Sequence, residues 1–294
     1  MIVTNFYPSH FHWEPCKLSF AHGGHEIMSI ADHTDFRHYY DGPAEGQFIF
    51  NYPMSEQIAK HVLERRRRGE RLVVMMDDPL AFFDSNINRH IIPVLQVADR
   101  VLTSTDNMLP IYAELGVHAE LMVGLANPHF DVAEPTVEAE MEFDWGFFGR
   151  MIPQRFRFFW QLQRLLPDLR SYIVTDGFGP VAVRDRVRRT RCNIAYGNFS
   201  DITDFKSRGT TLRSWEFPYC GGFLIQDDRP LLGRFFTEGD SKVTFQTAEQ
   251  CAFLIRKFVS LPEERRRIAG KARKIIDKHR MLDVLPGLFE DGST

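Results

Sequence analysis

The sequence predicts an α/β protein built from two similar halves, each with a parallel sheet covered by helices. Three observations support this prediction. The chain has 294 residues, which is longer than most single domains. Short apolar runs alternate with longer amphipathic runs, the pattern of strand–helix units joined by short connections. The alternation lapses between Asn127 and Glu142, where the chain is acidic and contains Pro135, and then it resumes.

The first half contains five candidate strands and three candidate helices. The strands are expected at residues 1–6, 26–31, 47–51, 71–76 and 101–103, and the helices at residues 14–21, 55–68 and 106–116. The helix at 55–68 has the clearest signals, because Ser55 can cap its start and Gly69 can end it. Ile58, Val62 and Leu63 form its apolar stripe. This rhythm predicts a parallel sheet with helices on both faces.

The second half repeats the pattern. Strands are expected at residues 143–148, 171–175, 192–196, 223–225 and 242–245, and an amphipathic helix at residues 153–166. Thr247 with Gln250, and Ser260 with Glu263, have the spacing of capping boxes, which predicts two further helices near the C-terminus.

The lapse in the pattern sets the predicted domain boundaries. We expect an N-terminal Rossmann-like domain at residues 1–132, a linker at 133–142 and a second domain at 143–280. The C-terminal tail, residues 281–294, is expected to pack back on the N-terminal domain. In such architectures ligands bind beyond the carboxyl ends of the strands, so the predicted site is a cleft between the two halves.

Composition narrows the class of protein. Hydrophobic residues make up 44% of the chain and charged residues 26%, as in ordinary globular proteins. A net charge of −3 does not suggest a dedicated binder of nucleic acid. No signal peptide and no apolar run of membrane-spanning length is visible. The cysteines are far apart in sequence, which predicts reduced, buried thiols and a cytoplasmic location. They are Cys16, Cys192, Cys220 and Cys251.

The stretch SWEFPYCGGFLIQDD, residues 214–228, places one acidic residue among aromatic and apolar residues just before a glycine pair. Gly209 and Thr210 can begin a short helix, whose first N–H groups are a ready seat for phosphate. Glu216 lies about a turn and a half further on, where its carboxylate could accept hydrogen bonds from the vicinal hydroxyls of a ribose. This is a nucleotide-binding arrangement. The alternative is that Glu216 is a surface residue and that the glycines only permit close packing.

Several motifs of the second half resemble group 1 glycosyltransferases, and the CgeB-like branch most closely. They are the order R-x-x-E-x-x-x-C-G-G-F-L-I from Arg213, the run FFTEGD from Phe235 and the run LPEERRRIA from Leu261. Phe147-Phe148-Gly149 is similar to the family's first strand in this domain. The resemblance covers residues 143–280 well. It is weaker in the first half, where Gly24-His25-Glu26-Ile27 is similar to a common second strand.

The resemblance implies a GT-B fold, in which two Rossmann-like domains face each other and the C-terminal one holds a nucleotide-sugar, with no cofactor or bound metal required. Carried over by position, Glu216 would hold the ribose. Backbone N–H groups of Gly209, Thr210 and Thr211 would bind the diphosphate, and either Arg150 or Arg213 would neutralise its charge. One departure is Arg208, which stands where related enzymes often carry a second glutamate, so the motif does not indicate a retaining mechanism.

Candidate bases follow two predicted strands of the first half. An inverting transfer needs a positioned base to deprotonate the acceptor hydroxyl. His10 and His12 come after the first strand, and Asp77 and Asp78 come after Met76, so all four are expected at carboxyl ends of strands. The alternatives are ordinary loop histidines and a strand-ending turn.

Four other features have simpler interpretations. His22, His25 and Glu26 do not make a complete metal site. Arg65–Arg68 is expected to be a solvated helix end. The basic run at residues 184–191 is expected to be a solvated face, with an anionic acceptor such as DNA as the alternative. The run Phe156, Phe158, Phe159 and Trp160 fits a core-facing helix better than a platform for sugar.

The predicted function is the transfer of a sugar from a nucleotide-diphosphate-sugar to an acceptor hydroxyl, without a metal. Two alternatives remain: a nucleotide-sugar epimerase of the same fold, and a nucleotide-binding protein without catalytic activity. The acceptor is not readable from the sequence. A glycan, a small molecule, a protein and a modified DNA base all remain open.

Overall fold

The computed structural model describes residues 1–4, 13–29, 42–50, 55–76, 85–122, 124–175, 178–197 and 210–289. Contacts divide the chain into two compact units, one comprising Met1–Val123 with Met281–Thr294 and the other Gly124–Arg280. Each unit contains one sheet, and every strand pair recorded in the two sheets is parallel. The predicted α/β class with two parallel sheets is confirmed.

The first unit is built on a sheet of six described strands. They are β1 (Ile2–Thr4), β2 (Ile27–Ser29), β3 (Gly46–Phe50), β4 (Arg71–Met76), β5 (Arg100–Thr103) and β6 (Ala119–Leu121), in the order β2-β1-β3-β4-β5-β6. The helices are α1 (Trp13–His22), α2 (Glu56–Arg67), α3 (Ser85–Val97) and α4 (Leu109–Glu114). Ile2 lies opposite Ile27 on one side and Gly46 on the other, so β1 is an interior strand.

Helix α2 forms as its sequence predicts. The hydroxyl of Ser55 accepts a hydrogen bond from the backbone N–H of Ile58 at 3.2 Å, and Ile58 and Val62 are buried. Its basic end is only partly solvated, because Arg67 and Arg68 are exposed and the two arginines before them are not. Arg65 is fully buried and its Nε donates to Glu70 at 2.7 Å, while Arg66 pairs with Asp99. A charged side chain is buried only when it is paired. The partner of Arg65 is Glu70, just after α2, and the partner of Arg66 is Asp99, just after α3.

The second unit is built on a sheet of five described strands. They are β7 (Phe143–Phe148), β8 (Ser171–Val174), β9 (Thr190–Ala195), β10 (Leu224–Asp227) and β11 (Val243–Phe245), in the order β11-β10-β9-β7-β8. The helices are α5 (Pro153–Leu165), α6 (Pro180–Arg188), α7 (Leu212–Tyr219), α8 (Ala248–Val259) and α9 (Pro262–Ile276). The strand order reverses between β7 and β9. In open parallel sheets, this reversal is where ligands bind, beyond the carboxyl ends.

The aromatic run on α5 divides between core and solvent. Phe158 and Phe159 are buried, and the rings of Phe147 and Phe159 are 4.2 Å apart. Phe156 and Trp160 are 61% and 53% exposed. The expectation that all four face the core is therefore wrong. Positions 156 and 160 are one turn apart and share a helix face that points away from the core.

The basic run at residues 184–191 is not a solvated face either. Arg184 and Arg188 donate to the carbonyl oxygens of His129 and Glu134, at 3.2 and 2.8 Å. Arg189 and Arg191 form ion pairs with acidic side chains. The guanidinium group of Arg186 lies over aromatic rings of the same unit. The acidic segment 124–142 is thus bound to this helix and the strand after it. It belongs to the second unit and begins before the predicted linker.

Two predicted capping boxes have different outcomes. The hydroxyl of Thr247 accepts from the backbone N–H of Gln250 at 3.2 Å and caps α8. At the second, the hydroxyl of Ser260 instead donates to the carbonyl of Lys257, and α9 begins at Pro262 after Leu261. Proline suits the first position of a helix because its fixed φ is already helical, so Pro262 sets this start.

The last described helix, α10 (Met281–Gly287), packs in the first unit. A Cβ on Gly23, after α1, would lie 2.3 Å from Pro286. The residues after α10 also contact this unit: Arg71, at the start of β4, donates a hydrogen bond to the carbonyl oxygen of Phe289 at 2.9 Å. All four cysteines are free and buried, and burial raises the pKa of each thiol. No helix within the described ranges is long and apolar enough to cross a membrane.

Candidate functional site

Glycines follow two neighbouring strands of the second unit where the strands end. Gly149 comes directly after β7 and Gly197 comes two residues after β9. Asp227 closes β10, the next strand in the sheet, and its carboxylate accepts the backbone N–H of Gly197. The carboxyl ends of three adjacent strands therefore form one edge, at the point where the strand order reverses.

Three arginines converge on this edge from different elements. Arg155 comes from the first turn of α5, Arg213 from the first turn of α7 and Arg229 from the turn after β10. The guanidinium groups of Arg155 and Arg213 both lie over the ring of Phe147, at 5.6 and 5.5 Å. Arg155 and Arg229 are only 6% and 4% exposed. We call Arg155, Arg213 and Arg229 the arginine cluster.

Backbone carbonyls and one carboxylate hold the cluster in place. Arg155 donates to the carbonyl of Tyr196 at 2.8 Å and to that of Arg150 at 2.7 Å. Arg213 donates through Nε to the carbonyl of Phe148. Arg229 donates to the carboxylate of Asp227 at 2.9 Å. Each side chain is therefore oriented by the structure around it.

The two glycines leave room for the guanidinium groups. A Cβ on Gly149 would lie 2.0 Å from Nη2 of Arg213, and a Cβ on Gly197 would lie 1.6 Å from Nη2 of Arg229. Gly149 also has a φ of +148°, which residues with a side chain rarely adopt. Any larger residue at either position would displace an arginine of the cluster.

The positive charges of the arginine cluster repel one another. Burial, with the charge of Arg155 as a second cause, lowers the pKa of Arg213 to about 10. Burial also lowers the pKa of Arg155, where Arg229 adds to the effect. In the described part of the chain, the carboxylates that act on the charge of Arg213 are Glu216 and Asp227. An anion bound here would relieve the repulsion among the three guanidinium groups.

Helix α7 carries Arg213 and Glu216 and is anchored at its start. The hydroxyl of Thr211 accepts the backbone N–H of Ser214 at 3.3 Å, and the hydroxyl of Ser214 donates to Gln226 of β10 at 2.7 Å. The hydroxyl of Thr210 accepts the indole N–H of Trp215 at 3.0 Å. Helix α7 is therefore tied to the strand that ends at Asp227.

Glu216 lies one turn after the cap of α7 and is half-buried. Burial raises the pKa of its carboxyl to about 7, while the charge of Arg213 opposes this rise. At neutral pH this carboxyl is therefore divided between its protonated and ionised forms. Such a group can accept hydrogen bonds from hydroxyls and also change its charge when a ligand binds.

The structure brings some of the predicted site residues together. Arg213 and Glu216 lie on one helix at the edge described above, and Thr210 and Thr211 lie at its start. The hydroxyls of both threonines already have partners within the unit. The side chain of Arg150 is exposed, and only its carbonyl contacts the cluster. Five predicted residues lie outside the described residues: Gly209, His10, His12, Asp77 and Asp78.

Sequence reasoning missed Arg155 and Arg229. Arg229 comes two residues after β10, whereas Arg155 lies inside α5, seven residues after the end of β7, and nothing local in the sequence relates the two.

Comparison with known proteins gives a family model that matches part of the chain and solved structures of the same fold. Residues 156–283 match a family model described as glycosyl transferase-like. The matched region includes Glu216, Arg213 and Arg229 and supports the predicted glycosyltransferase class for the second unit. No curated protein sequence matches this chain.

Solved structures of glycosyltransferases align with most of the chain. HepE from Anabaena in complex with UDP-glucose has a TM-score of 0.62 and 11% identity, with 98% of this chain and 97% of HepE covered. An α-glucosyltransferase in complex with UDP and a 13-mer DNA containing an HMU base has a TM-score of 0.65 and 12% identity, with 95% of each chain covered.

TarM from S. aureus is a longer protein of similar fold. The alignment has a TM-score of 0.56 and 11% identity and covers 83% of this chain. This chain spans about half of the length of TarM, 54%. At these identities the matches show the fold alone. The predicted GT-B fold, with two Rossmann-like α/β domains, is thereby confirmed.

Proposed function

We propose that this protein is a glycosyltransferase that takes its sugar from a UDP-sugar bound in the second unit. The arginine cluster is the observation that carries the proposal. Three guanidinium groups lie at the carboxyl edge of the sheet, next to two glycines and a half-buried glutamate. The family match over residues 156–283 points to the same activity.

The chemistry of sugar transfer needs such a cluster. The bond from the anomeric carbon to the diphosphate breaks, and the negative charge that develops on the leaving UDP must be stabilised. Guanidinium groups that are already oriented supply charge-assisted hydrogen bonds to phosphate without reorganising during the reaction. Arg155, Arg213 and Arg229 would fill this role, so we propose a reaction that does not depend on a metal.

The ribose would lie at Glu216. Its carboxylate can accept two hydroxyl hydrogen bonds, and it stands one turn from Arg213 on the same helix. The choice of uridine follows from structural neighbours whose complexes contain UDP or UDP-glucose. The CgeB-like branch, carried by the motif around Arg213 and Glu216, remains a finer proposal within the glycosyltransferases. Four buried thiols agree with a cytoplasmic location.

The base remains a prediction from the sequence. If transfer inverts the anomeric centre, one of Asp77, Asp78, His10 and His12 would remove the acceptor's proton. Its replacement by alanine would lower kcat by about 10²–10⁴-fold and leave UDP binding intact. Normal rates in all four variants would favour a mechanism in which the departing phosphate takes the proton.

Incubation with a panel of UDP-sugars tests the proposed function. The panel is combined with glycans, small alcohols, proteins and hydroxymethylated DNA, and both released UDP and glycosylated product are measured. We expect UDP release that depends on one class of acceptor and that is lost in E216A. An isomerised donor without transfer would support the epimerase instead. Binding without any turnover would support the non-catalytic alternative.

A further inference from the structure

An exposed aromatic ring stands at the carboxyl edge of the second sheet and takes no part in the site built on the arginine cluster. Phe178 comes four residues after β8 ends at Val174 and two residues before α6 begins at Pro180. It is 46% exposed, although phenylalanine is usually buried. The arginines and the glutamate of the site provide for the phosphates and the ribose of a nucleotide, and none of them offers a flat apolar surface to its base.

One residue links Phe178 to the arginine cluster. Strands β7 and β8 pair with Phe148 opposite Val174, so the two strands end at the same level. The rings of Phe148 and Phe178 meet edge to face, with their centroids 6.1 Å apart. The carbonyl oxygen of Phe148 accepts the Nε–H of Arg213. The ring of Phe178 therefore lies beside the residue that orients one guanidinium group of the cluster.

Neighbouring residues hold the ring of Phe178 in place. The guanidinium group of Arg186, in α6, lies over this ring at 5.8 Å from its centroid. The same group lies over the rings of Phe143 and Tyr172, at 5.4 Å from each. Pro180 then fixes the direction of the chain where α6 begins. A ring that is held in this way loses little conformational freedom when a ligand stacks on it.

The helix that follows Phe178 and the helix that carries Glu216 lie on the same face of the sheet. The connections β8-α6-β9 and β9-α7-β10 run in the same direction across the sheet, and crossovers between parallel strands are right-handed. The turn Pro128–Phe130 contacts both helices, through Phe217 of α7 and Arg184 of α6. Phe178 and Glu216 are therefore on the same side of the carboxyl edge.

On the basis of the proposed function, we propose that Phe178 stacks on the base of the donor nucleotide. With the diphosphate at the arginine cluster and the ribose at Glu216, the base extends toward the end of β8, where the ring is exposed. Aromatic rings favour offset stacking, and the ring of Phe178 shields one face of the base from water. Because every base has a π-face, this contact supplies affinity and does not itself select uracil.

Three substitutions at position 178 isolate the contribution of the ring. F178A removes it, F178L keeps an apolar side chain without a ring, and F178W keeps a larger ring. Phe253 provides the matched control, because it is 68% exposed and lies on α8, which follows β11 at the opposite edge of the sheet. Thermal unfolding of each variant measures whether the fold is kept.

The first readout compares ligands with and without a base by calorimetry. We expect F178A and F178L to bind UDP and uridine about tenfold more weakly than the wild type, since stacking on an aromatic ring contributes about that much affinity per base. Their affinity for inorganic pyrophosphate should equal that of the wild type, and F253A should bind all three ligands normally. R213A should show the reverse pattern, with weaker binding of UDP and pyrophosphate and unchanged binding of uridine. Wild-type affinity of F178A for UDP, or an equal loss for pyrophosphate, would overturn the proposal.

The second readout is the fluorescence of F178W, since a base that stacks on an indole ring changes its emission. The chain has four tryptophans of its own, so the same titration of the wild type gives the background. We expect UDP and uridine to change the emission of F178W beyond this background, and pyrophosphate to leave it unchanged. F253W should show the background alone. A response of F178W to saturating UDP that equals the background would contradict stacking at this position.

The outcomes separate this inference from the proposed function. If the wild type binds neither UDP nor pyrophosphate, the proposed function fails and this inference fails with it. If the wild type binds UDP and R213A does not, but F178A binds UDP as the wild type does, only the role of Phe178 is wrong. If F178A binds UDP normally and transfers sugar more slowly, the ring contacts the acceptor, and stacking on the base is again wrong.

Discussion

At the scale of single residues, Gly149 shows how closely the backbone approaches the arginine cluster. Its φ of +148° disfavours any side chain, and a Cβ there would lie 2.0 Å from Nη2 of Arg213. We predict that G149A displaces Arg213 and weakens UDP binding by about tenfold or more, the cost of one hydrogen bond to a charged group. Calorimetry measures the affinity.

Gly270 provides the matched control for this prediction. It lies inside α9, and a Cβ there would meet nothing within 4 Å. We expect G270A to bind UDP as the wild type does and to be slightly more stable, because alanine favours a helix over glycine by about 1 kcal/mol. Equal UDP affinities for G149A and the wild type would show that Arg213 does not contact the ligand from this position.

Glu216 predicts a pH dependence of nucleotide binding. Burial raises the pKa of its carboxyl to about 7, so the group is mostly protonated at about pH 6 and mostly ionised at about pH 8. Ribose hydroxyls donate best to the ionised form, so binding favours loss of the proton. UDP affinity should therefore increase as the pH rises through about 7. Calorimetry on both sides of that value measures this.

The phosphates of UDP also titrate near pH 6, and E216Q records that contribution alone. The prediction concerns the difference between the two proteins, which should grow with pH. If the affinities of the wild type and E216Q change in parallel, the carboxylate does not bind the ligand.

At the scale of elements, the cap of α7 links stability to binding. Thr211 caps the helix whose first turn carries Arg213. T211A should destabilise the second unit by about 1 kcal/mol and should also loosen that turn. S55A removes the equivalent cap of α2, which belongs to the first unit. We expect the unfolding temperature of both variants, measured in thermal scans, to fall by a few degrees. Only T211A should bind UDP more weakly. Equal losses of affinity in the two variants would contradict a specific role for the start of α7.

The elements that the sequence predicts well are those with local signals at both ends. Helix α2 lies within one residue of its predicted limits, since Ser55 and Gly69 mark them, and β4 matches residues 71–76. Helix α3 contains Pro93 and was not predicted. Helix α6 was not predicted, because its sequence is rich in arginine and its apolar stripe consists only of Val183 and Val187.

The site was predictable only where it is local in sequence. Arg213 and Glu216 lie on one short helix, so their relation could be inferred from spacing. Arg155 and Arg229 join them only because β7, β9 and β10 are adjacent and parallel.

At the scale of the whole molecule, ion pairs hold the 124–142 segment to the second unit. Glu138 pairs with Arg191 at 2.8 Å and also with Arg265. Burial by itself would raise the pKa of Glu138, but the hydrogen bond from Arg191 and the charge of Arg265 outweigh it, so the pKa is lowered. This contribution to stability is present above the unfolded value of 4.5 and is lost as the pH falls through the lower folded value.

We predict that E138Q is less stable than the wild type at neutral pH and that the difference shrinks below pH 4.5. Urea unfolding at several pH values measures it. E140Q is the matched control, because Glu140 lies in the same short turn and is exposed, so its stability should follow that of the wild type. A constant difference between E138Q and the wild type across the pH range would show that the ion pairs do not stabilise the unit.

The central claim is that the arginine cluster binds the diphosphate of a nucleotide. Calorimetric titration of the wild type and R213A with UDP and with uridine tests it most directly. We predict that the wild type binds UDP about 100-fold more tightly than uridine, since two or more charge-assisted hydrogen bonds form. R213A should lose about tenfold or more of the UDP affinity and little of the uridine affinity. Equal affinity of the wild type for UDP and uridine, or unchanged UDP binding in R213A, would contradict the claim.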